Sequence, residues 1–436
     1  MNFVFENKHD GRNFTKGSQI NKIGWDRFCI APFFNLIRCL SSLSSNYKDM
    51  SNDFSVDEKP EKYIIATGVH NDPKNWGGGE LSGHENYESL FDLLSEDYLI
   101  DLKNGKALLL IDNSLEGFHE DWIYEFLHHE CNRYNINPAQ VIYITGNLQV
   151  TNFYLDWLKE NPQPIKLNTF EYPHFQTDVY LFTRNLPKDN NTHPPTFEEQ
   201  LNYKKKNIDK IKLYSYLNKK PRLHRVNFYK LLFVKKLLDK GLVSLENFGS
   251  HGLDFGGDRE DQQSFCGYTF SRKYIEKIKE TLPSRIYGKS NNEQGVEYVT
   301  RFHPEVALDS WVQVVSETYF YNDYKTLFVS EKTFKVIASS QPFIILGSRG
   351  SLRELKKLGY KTFDKWIDES YDDLDDCERM SAIVKVLKDI DMIEDKLSWF
   401  AEMKDVLEYN KNLLEKNSLE TPPMVFEEVK KLYNSL

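Results

Sequence analysis

Short apolar runs alternate with amphipathic stretches along most of this chain. Lys62–Thr67, Ala107–Ile111 and Val141–Ile144 are compact apolar runs that read as buried strands, and Ile165–Phe170 is a fourth candidate. Asn2–Phe5 is a further short strand candidate, and Gly24–Leu43 is helical in pattern. Between the strands, Glu120–Tyr134 places Trp122, Ile123, Phe126, Leu127 and Tyr134 on one helical face, and Asn152–Lys159 predicts another helix. The same rhythm returns later: strand Ile211–Leu217, helix Val226–Lys240 stopped by Gly241, helix Ser271–Thr281, strand Trp311–Val315. A helix through Phe334, Ile337 and Ala338 follows, then strand Phe343–Leu346 closed by Gly347, helix Arg349–Leu358 and a short strand Lys361–Phe363. Helices are predicted over Asp375–Asp389, Ile393–Leu414 and Pro423–Leu436. Strand–helix alternation predicts an α/β fold with parallel sheets covered by helices. In such sheets, ligands sit at the carboxyl ends of strands and the amino ends of helices.

Polar residues gather where that rule expects them. Asp112, Asn113, Ser114, Glu116 and Gly117 follow one strand, Thr145-Gly146-Asn147 the next, and Glu171, Tyr172 and His174 the one after. The loop Val69–Gly83 carries His70, Asn71, Asp72, Trp76, three consecutive glycines and Glu80. Its glycines permit close approach to a ligand, but no helix-opening GxGxxG spacing supports a dinucleotide site. Asn185–Pro195, polar and with three prolines, reads as the linker between two β/α halves.

The 436 residues suffice for two domains, and the 29 Phe and 25 Tyr supply a core. The net charge of -9 disfavours non-specific nucleic-acid binding by the whole surface. Yet Tyr203–Lys240 holds eleven Lys, two Arg and two Asp, a local +11 that suggests an anionic partner such as a diphosphate. Cysteines 29, 39, 131, 266 and 377 are scattered without a CxxC pair, which suits a reducing compartment, the cytoplasm, and argues against a disulfide framework or zinc ribbon. No apolar run approaches a membrane span, and Trp25–Leu43, interrupted by Asp26, Arg27, Pro32 and Arg38, reads as a buried amphipathic helix.

Three groups of residues are candidates for chemistry. Ser330-Glu331-Lys332 opens a helix, where free N–H groups and the macrodipole attract anions; the same residues would equally serve as an N-cap with surface charges in the first turn. The loop Asn218–Arg225 lies between strand and helix, and Arg222 and Arg225 could clamp phosphate oxygens. Group transfer to a hydroxyl needs a positioned base to take its proton. Candidates for it are Glu116, Asp112 and His70, with Glu80, Glu171 and His174 behind them. His128-His129-Glu130 is not a metal-binding HExxH, and Asp373-Leu374-Asp375 and Asp389-Ile390-Asp391 read as solvated acids; no metal site is expected.

Glu317, Asp323-Tyr324, Ser330-Glu331-Lys332 and Ile345-Leu346-Gly347 together form a pattern that resembles the carboxyl-terminal donor-binding motif of α-1,3-fucosyltransferases. Exostosin-type transferases show a more distant likeness. The whole chain resembles glycosyltransferase-like proteins of marine phages through its Gly-Tyr-Lys-Thr-Phe and Trp-Ile-Asp-Glu-Ser-Tyr-Asp pattern at 359–372. The fucosyltransferase resemblance covers about 60 residues and implies a GT-B fold: two Rossmann-like β/α domains facing a cleft. It implies an acceptor domain over 1–190, a nucleotide-sugar donor domain over 205–400, and terminal helices over 401–436 packing back on the first domain. It further implies that Glu331 meets the ribose and Lys332 the diphosphate, with Ser330, Glu317, Gly347, Arg222 and Arg225 around the donor. The expected activity is metal-independent transfer of a sugar from a nucleotide-sugar to a glycan or other hydroxyl acceptor, with no cofactor. Two alternatives stay open: a phage enzyme glycosylating DNA bases in its host's cytoplasm, and a non-catalytic nucleotide- or glycan-binding protein on the same fold.

Overall fold

The computed structural model describes residues 3–4, 60–68, 89–92, 94–117, 119–186, 193–219, 221–245, 264–265, 268–269, 272–282, 284, 302–321 and 326–436. The chain divides into two compact units: Met1–Thr177 with Tyr324–Phe328 and Asn417–Leu436, and Asp178–Asp323 with Val329–Lys416. Both are built on parallel sheets, so the molecule is a mixed α/β protein.

The first unit holds β1 (Phe3–Val4), β2 (Tyr63–Gly68), β3 (Ala107–Asn113), β4 (Val141–Thr145) and β5 (Asn168–Glu171), side by side in chain order and all parallel. Every crossover therefore steps in the same direction. Right-handed crossovers of that kind place their helices on one face of a sheet. That is where α1 (Glu96–Lys103), α2 (Trp122–Tyr134) and α3 (Val150–Glu160) lie, packed on Tyr63, Ile65, Leu109, Ile111 and Tyr143. Alternation along the strands turns Ile64, Ala66, Leu108, Leu110, Ile142 and Ile144 to the other face, and Val425, Phe426 and Val429 near the end of the chain cover them.

In the second unit β6 (Lys212–Leu217), β7 (Gly241–Ser244), β10 (Ser310–Ser316) and β11 (Phe343–Leu346) form a parallel sheet ordered β11-β10-β6-β7. A two-stranded antiparallel ribbon, β8 (Ser264–Phe265) with β9 (Tyr268–Thr269), stands apart from it. Following α4 (His174–Asn185) and α5 (Phe197–Lys206), helix α6 (Leu223–Val234) carries the chain from β6 to β7. After α7 (Arg272–Glu280) and α8 (Pro304–Leu308), helix α9 (Glu331–Ala338) carries it the opposite way, from β10 to β11. The strand order thus reverses between β6 and β10. Helices α10 (Ser351–Lys357), α11 (Asp376–Asp391), α12 (Lys396–Ala401) and α13 (Lys404–Ser435) complete the chain.

The third strand expected at Lys361–Phe363 does not form. Lys361 N–H and C=O are taken by the Asn410 carboxamide at 2.9 and 2.8 Å, and Phe363 N–H by the Glu369 carboxylate at 2.6 Å. With side chains satisfying its backbone, the segment has no need of a neighbouring strand. Two expected helices, Ile393–Leu414 and Pro423–Leu436, are instead a short α12 and one long α13 with Pro422 and Pro423 inside it. Cys131 is a buried free thiol, whereas Cys377 is disulfide-bonded. That bridge departs from the reduced state expected from spacing, which carries no trace of a pairing between distant residues. No helix among the described residues is long and apolar enough to cross a membrane. The stretch Trp25–Leu43 lies outside them, as does most of the expected linker.

Candidate functional site

The reversal of strand order in the second unit has a geometric consequence. Right-handed crossovers in opposite directions send the loops leaving the carboxyl ends of β6 and β10 to opposite faces, the topology at which open α/β sheets bind ligands. Both basic constellations found in the sequence flank this point: Asn218–Arg225 follows β6, and Glu317–Lys332 joins β10 to α9.

Around α9 the sequence forms a cap. Ser330 is the N-cap, and its hydroxyl accepts from the Lys332 N–H at 3.4 Å. Glu317, just beyond β10, is buried with its carboxylate turned inward. It accepts from the Ser330 N–H at 3.2 Å, the Thr333 hydroxyl at 2.6 Å and the Ser330 hydroxyl. Glu317 therefore holds the loop to the helix and shapes the site from behind. Lys332 and Glu331 remain partly exposed, side chains 29% and 14%, and their charged ends meet at 2.9 Å. Burial alone would raise the Glu331 carboxyl, but the Lys332 and Lys335 ammonium groups outweigh it and hold the pKa below the ordinary value. Lys335, one turn along the same helix, is lowered to about 8 by burial, with the Lys332 charge adding to it and the Glu331 carboxylate opposing. Sequence reasoning missed Lys335, although its i+4 spacing from Glu331 was there to be read.

Around α6 the charges are held from the β10 side. Arg222 Nη1 donates to the Thr318 carbonyl at 3.0 Å, and Arg225 Nη2 to the Glu317 carbonyl at 3.2 Å. Arg225 is buried, and burial with the neighbouring Arg222 charge lowers its pKa to about 10. Between them His224 is kept neutral, well below its ordinary pKa, by burial and by the Arg225 charge. Its Nε2–H donates to the Glu317 carbonyl at 3.1 Å, and its ring stacks on Phe320 at 5.6 Å. These contacts fix the two guanidinium groups in place before any anion arrives.

Three helices of this unit start at the carboxyl edge of its sheet, and they differ. The α9 terminus is closed by Ser330 and Glu317. The α10 terminus is closed by the Asp372 carboxylate, which accepts from the Leu352 and Arg353 N–H groups at 3.0 and 3.1 Å. At α6 the N-cap is Arg222, with no capping side chain. Gly347, expected beside a ligand, instead lies against neighbours: a Cβ there would stand 3.1 Å from Ser351 Oγ and 3.3 Å from Glu317 Cβ. Its bareness serves the close packing of two strand ends.

The chain matches no protein-family model, no curated protein and no solved structure. What the site can do is therefore argued from its own groups.

In the first unit Asp112 ends β3, fully buried. Its Oδ1 accepts from the Ser114 N–H at 2.8 Å, while Oδ2 and the nearby Ser114 hydroxyl are not in hydrogen-bond geometry with any group. Burial raises this carboxyl to about 7, against the opposing pull of Ser114. Glu116 is half-buried, and its carbonyl ties two loops by accepting from Gly146 N–H at 2.9 Å and Thr145 Oγ1 at 3.1 Å. Phe328 packs on those loops so closely that a Cβ on Gly117 or Gly146 would stand 2.2 or 2.6 Å from it. Glu171 accepts from the Thr151 N–H in the first turn of α3, and His174 is buried with its ring 5.8 Å from Tyr172. His70 and Glu80 lie outside the described residues. At the opposite, amino end of β4 and β5 a hollow of about 350 Å³ is lined by Lys103, His128, Asn132, Asn135 and Gln163 among others, away from the strand-end groups.

No three His, Cys, Asp or Glu side chains converge as a metal site among the described residues. His128 bonds the Tyr154 hydroxyl at 2.8 Å, and burial lowers its pKa to about 4. The two Asp-x-Asp pairs stand in surface ion pairs, Asp373 with Arg353 at 2.8 Å, Asp375 with Arg349 at 3.5 Å, Asp389 with Lys385 at 3.7 Å, and Asp391 with Lys240.

Proposed function

We propose that this chain is a nucleotide-sugar-dependent glycosyltransferase whose second unit holds the donor. The observation that carries the reading is the reversal of strand order between β6 and β10, with Arg222 and Arg225 following one strand and Lys332 following the other. A diphosphate needs preorganised positive charge and N–H donors, and gains most from them when it leaves with a developing charge. Lys332 and the first turn of α6 would take the phosphates, with Arg222 and Arg225 bracing them. Glu331, kept ionised by Lys332 and Lys335, is an acceptor suited to the hydroxyls of a ribose. The acceptor hydroxyl and its base belong, in this reading, to the first unit. Asp112 is the candidate there whose raised pKa suits proton transfer near neutrality.

The test is stabilisation of the full chain by GDP, UDP, ADP and CMP and by their sugars, on wild type and Lys332→Ala. A ligand at 100 times its Kd adds about 2.7 kcal/mol to the native state. One nucleotide family should raise the Tm of wild type, and Lys332→Ala should lose most of that rise. A wild-type protein that no nucleotide stabilises would refute the reading.

A further inference from the structure

Helix α2 and its C-cap present His128, Cys131, Asn132 and Asn135 to the hollow at the amino ends of β4 and β5. Their i, i+3, i+4 and i+7 spacing is that of one helical face. Gln163 and Pro164, in the loop before β5, and Lys103, which ends α1, line it as well. Its floor is made by His128 and Cys131, 4% and 0% exposed. Burial raises Cys131 to about 12, so it stays a thiol. The tautomer of His128 follows from its neighbour. Tyr154, also buried, accepts from the Leu167 N–H at 2.9 Å, and its oxygen stands 2.8 Å from His128 Nε2. That Nε2 is the one acceptor the described residues offer the phenolic proton, so Tyr154 donates to it. The imidazole is neutral, lowered to about 4 by burial, and therefore carries its own proton on Nδ1. Nδ1 has no acceptor among the described residues and is not sealed from solvent. A ring that is nearly buried yet lines the hollow thus offers an N–H donor to it. The carboxamides of Asn132, Asn135 and Gln163 are likewise bonded to no other described residue.

We propose that this hollow is a binding site for one neutral hexopyranose ring. Each carboxamide offers a donor and an acceptor, which matches neighbouring sugar hydroxyls, and His128 Nδ1–H supplies a donor from the floor. Pro138, Pro164 and Ile165 give apolar surface for the C–H groups of the ring. Among the described residues that line the hollow, Lys103 alone carries a full charge, too little for a diphosphate. The volume of about 350 Å³ lies near the lower end of small-molecule sites, about 300–1,000 Å³, and suits a single ring. The hollow opens at the end of this sheet opposite to Asp112 and Glu116, so a sugar held here is a docking contact and not a reactant. The site needs no nucleotide and stands independently of the function proposed above.

The experiment is saturation-transfer NMR of the full chain with the methyl glycosides of glucose, galactose, mannose, N-acetylglucosamine and fucose. It compares wild type, Asn132→Ala, Gln163→Ala and Lys332→Ala, with the ligand-free Tm of each. The first two substitutions lie on separate elements and should leave the Tm near that of wild type. At least one glycoside should bind with millimolar or tighter Kd, and Asn132→Ala and Gln163→Ala should each weaken it five-fold or more. Lys332→Ala should leave it unchanged. In protein carrying 15N-labelled histidine, one neutral imidazole protonated on Nδ1 should persist at pH 5.5, above its pKa of about 4, and its signal should move as that glycoside is added. Four results would each overturn the proposal: no saturation transfer from any glycoside, full transfer in a folded Asn132→Ala or Gln163→Ala chain, transfer lost in Lys332→Ala, or a His128 proton found on Nε2. Glycoside binding that depends on Asn132 and Gln163, in a chain that no nucleotide stabilises, would uphold the site and defeat the transferase reading.

Discussion

Asp112 offers a test of the first unit that needs no substrate. Its carboxyl is fully buried at the end of β3, and its pKa is raised from 3.8 to about 7 by burial. Between those values the native state binds a proton that the unfolded chain has released. Stability contributed by this group is therefore fully present below pH 3.8 and is lost as pH rises through 7. A shift of about three units corresponds to about 4 kcal/mol at most, at 1.36 kcal/mol per unit. About 2–3 kcal/mol of that should fall between pH 5 and pH 8. Asp112→Asn keeps an oxygen for the Ser114 N–H and cannot ionise. Relative to wild type the variant should gain stability as pH rises across this range, and the gain should level off above pH 8. Urea titrations at pH 5, 6, 7 and 8, read by hydrogen exchange of a β3 peptide, follow the first unit separately from the second. A variant that differs from wild type by the same amount at every pH would refute the argument that this carboxyl is protonated in the native protein.

Two further outcomes are expected. Lys204 is buried, its ammonium donating to the Ala307 and Leu308 carbonyls, and burial lowers its pKa to about 7. The unfolded chain binds the extra proton between about pH 7 and 10.5, so this group makes stability rise with pH over that window, and Lys204→Met should remove the rise in denaturation curves at pH 7.5 and 9.5. Gly117→Ala and Gly146→Ala should both destabilise the first unit, by about 1–3 kcal/mol. Phe328→Gly should rescue only the first: a Cβ on Gly117 meets Phe328 Cβ itself at 2.2 Å, an atom that alanine would keep, whereas Gly146 is also hemmed in by the Ser114 and Glu116 carbonyls at 2.7 and 2.9 Å. Thermal melts of the single and double variants decide it: equal rescue at both positions would show that Phe328 alone fills the space.

The strands were legible wherever burial on both faces left an uninterrupted apolar run, as at Ala107–Ile111 and Phe343–Leu346. Lys361–Phe363 carries a similar signal, but its backbone partners, Asn410 and Glu369, are separated from it in sequence. Helix α5 escaped notice because only Phe197 and a few others along it are apolar. Its capping box, Thr196 with Glu199, was the readable signal. In the site, the positions of Arg222, Arg225 and Lys332 followed from strand–helix junctions. The inward turn of Glu317 did not, since nothing local tells that its carboxylate will serve a serine thirteen residues later.

The one-directional order of the first sheet sets a timetable for making the protein. Ile64, Leu108 and Ile142 leave the ribosome well before Val425, Phe426 and Val429, which cover them. At ribosomal speeds of about 5–20 residues per second, nearly three hundred intervening residues leave that apolar face waiting for tens of seconds. A nascent chain in this interval presents a surface that chaperones bind and that promotes association with its neighbours. Loss of the segment that carries Val425, Phe426 and Val429 would therefore be more damaging than the loss of one surface helix suggests, because it would leave the earlier-made sheet permanently uncovered.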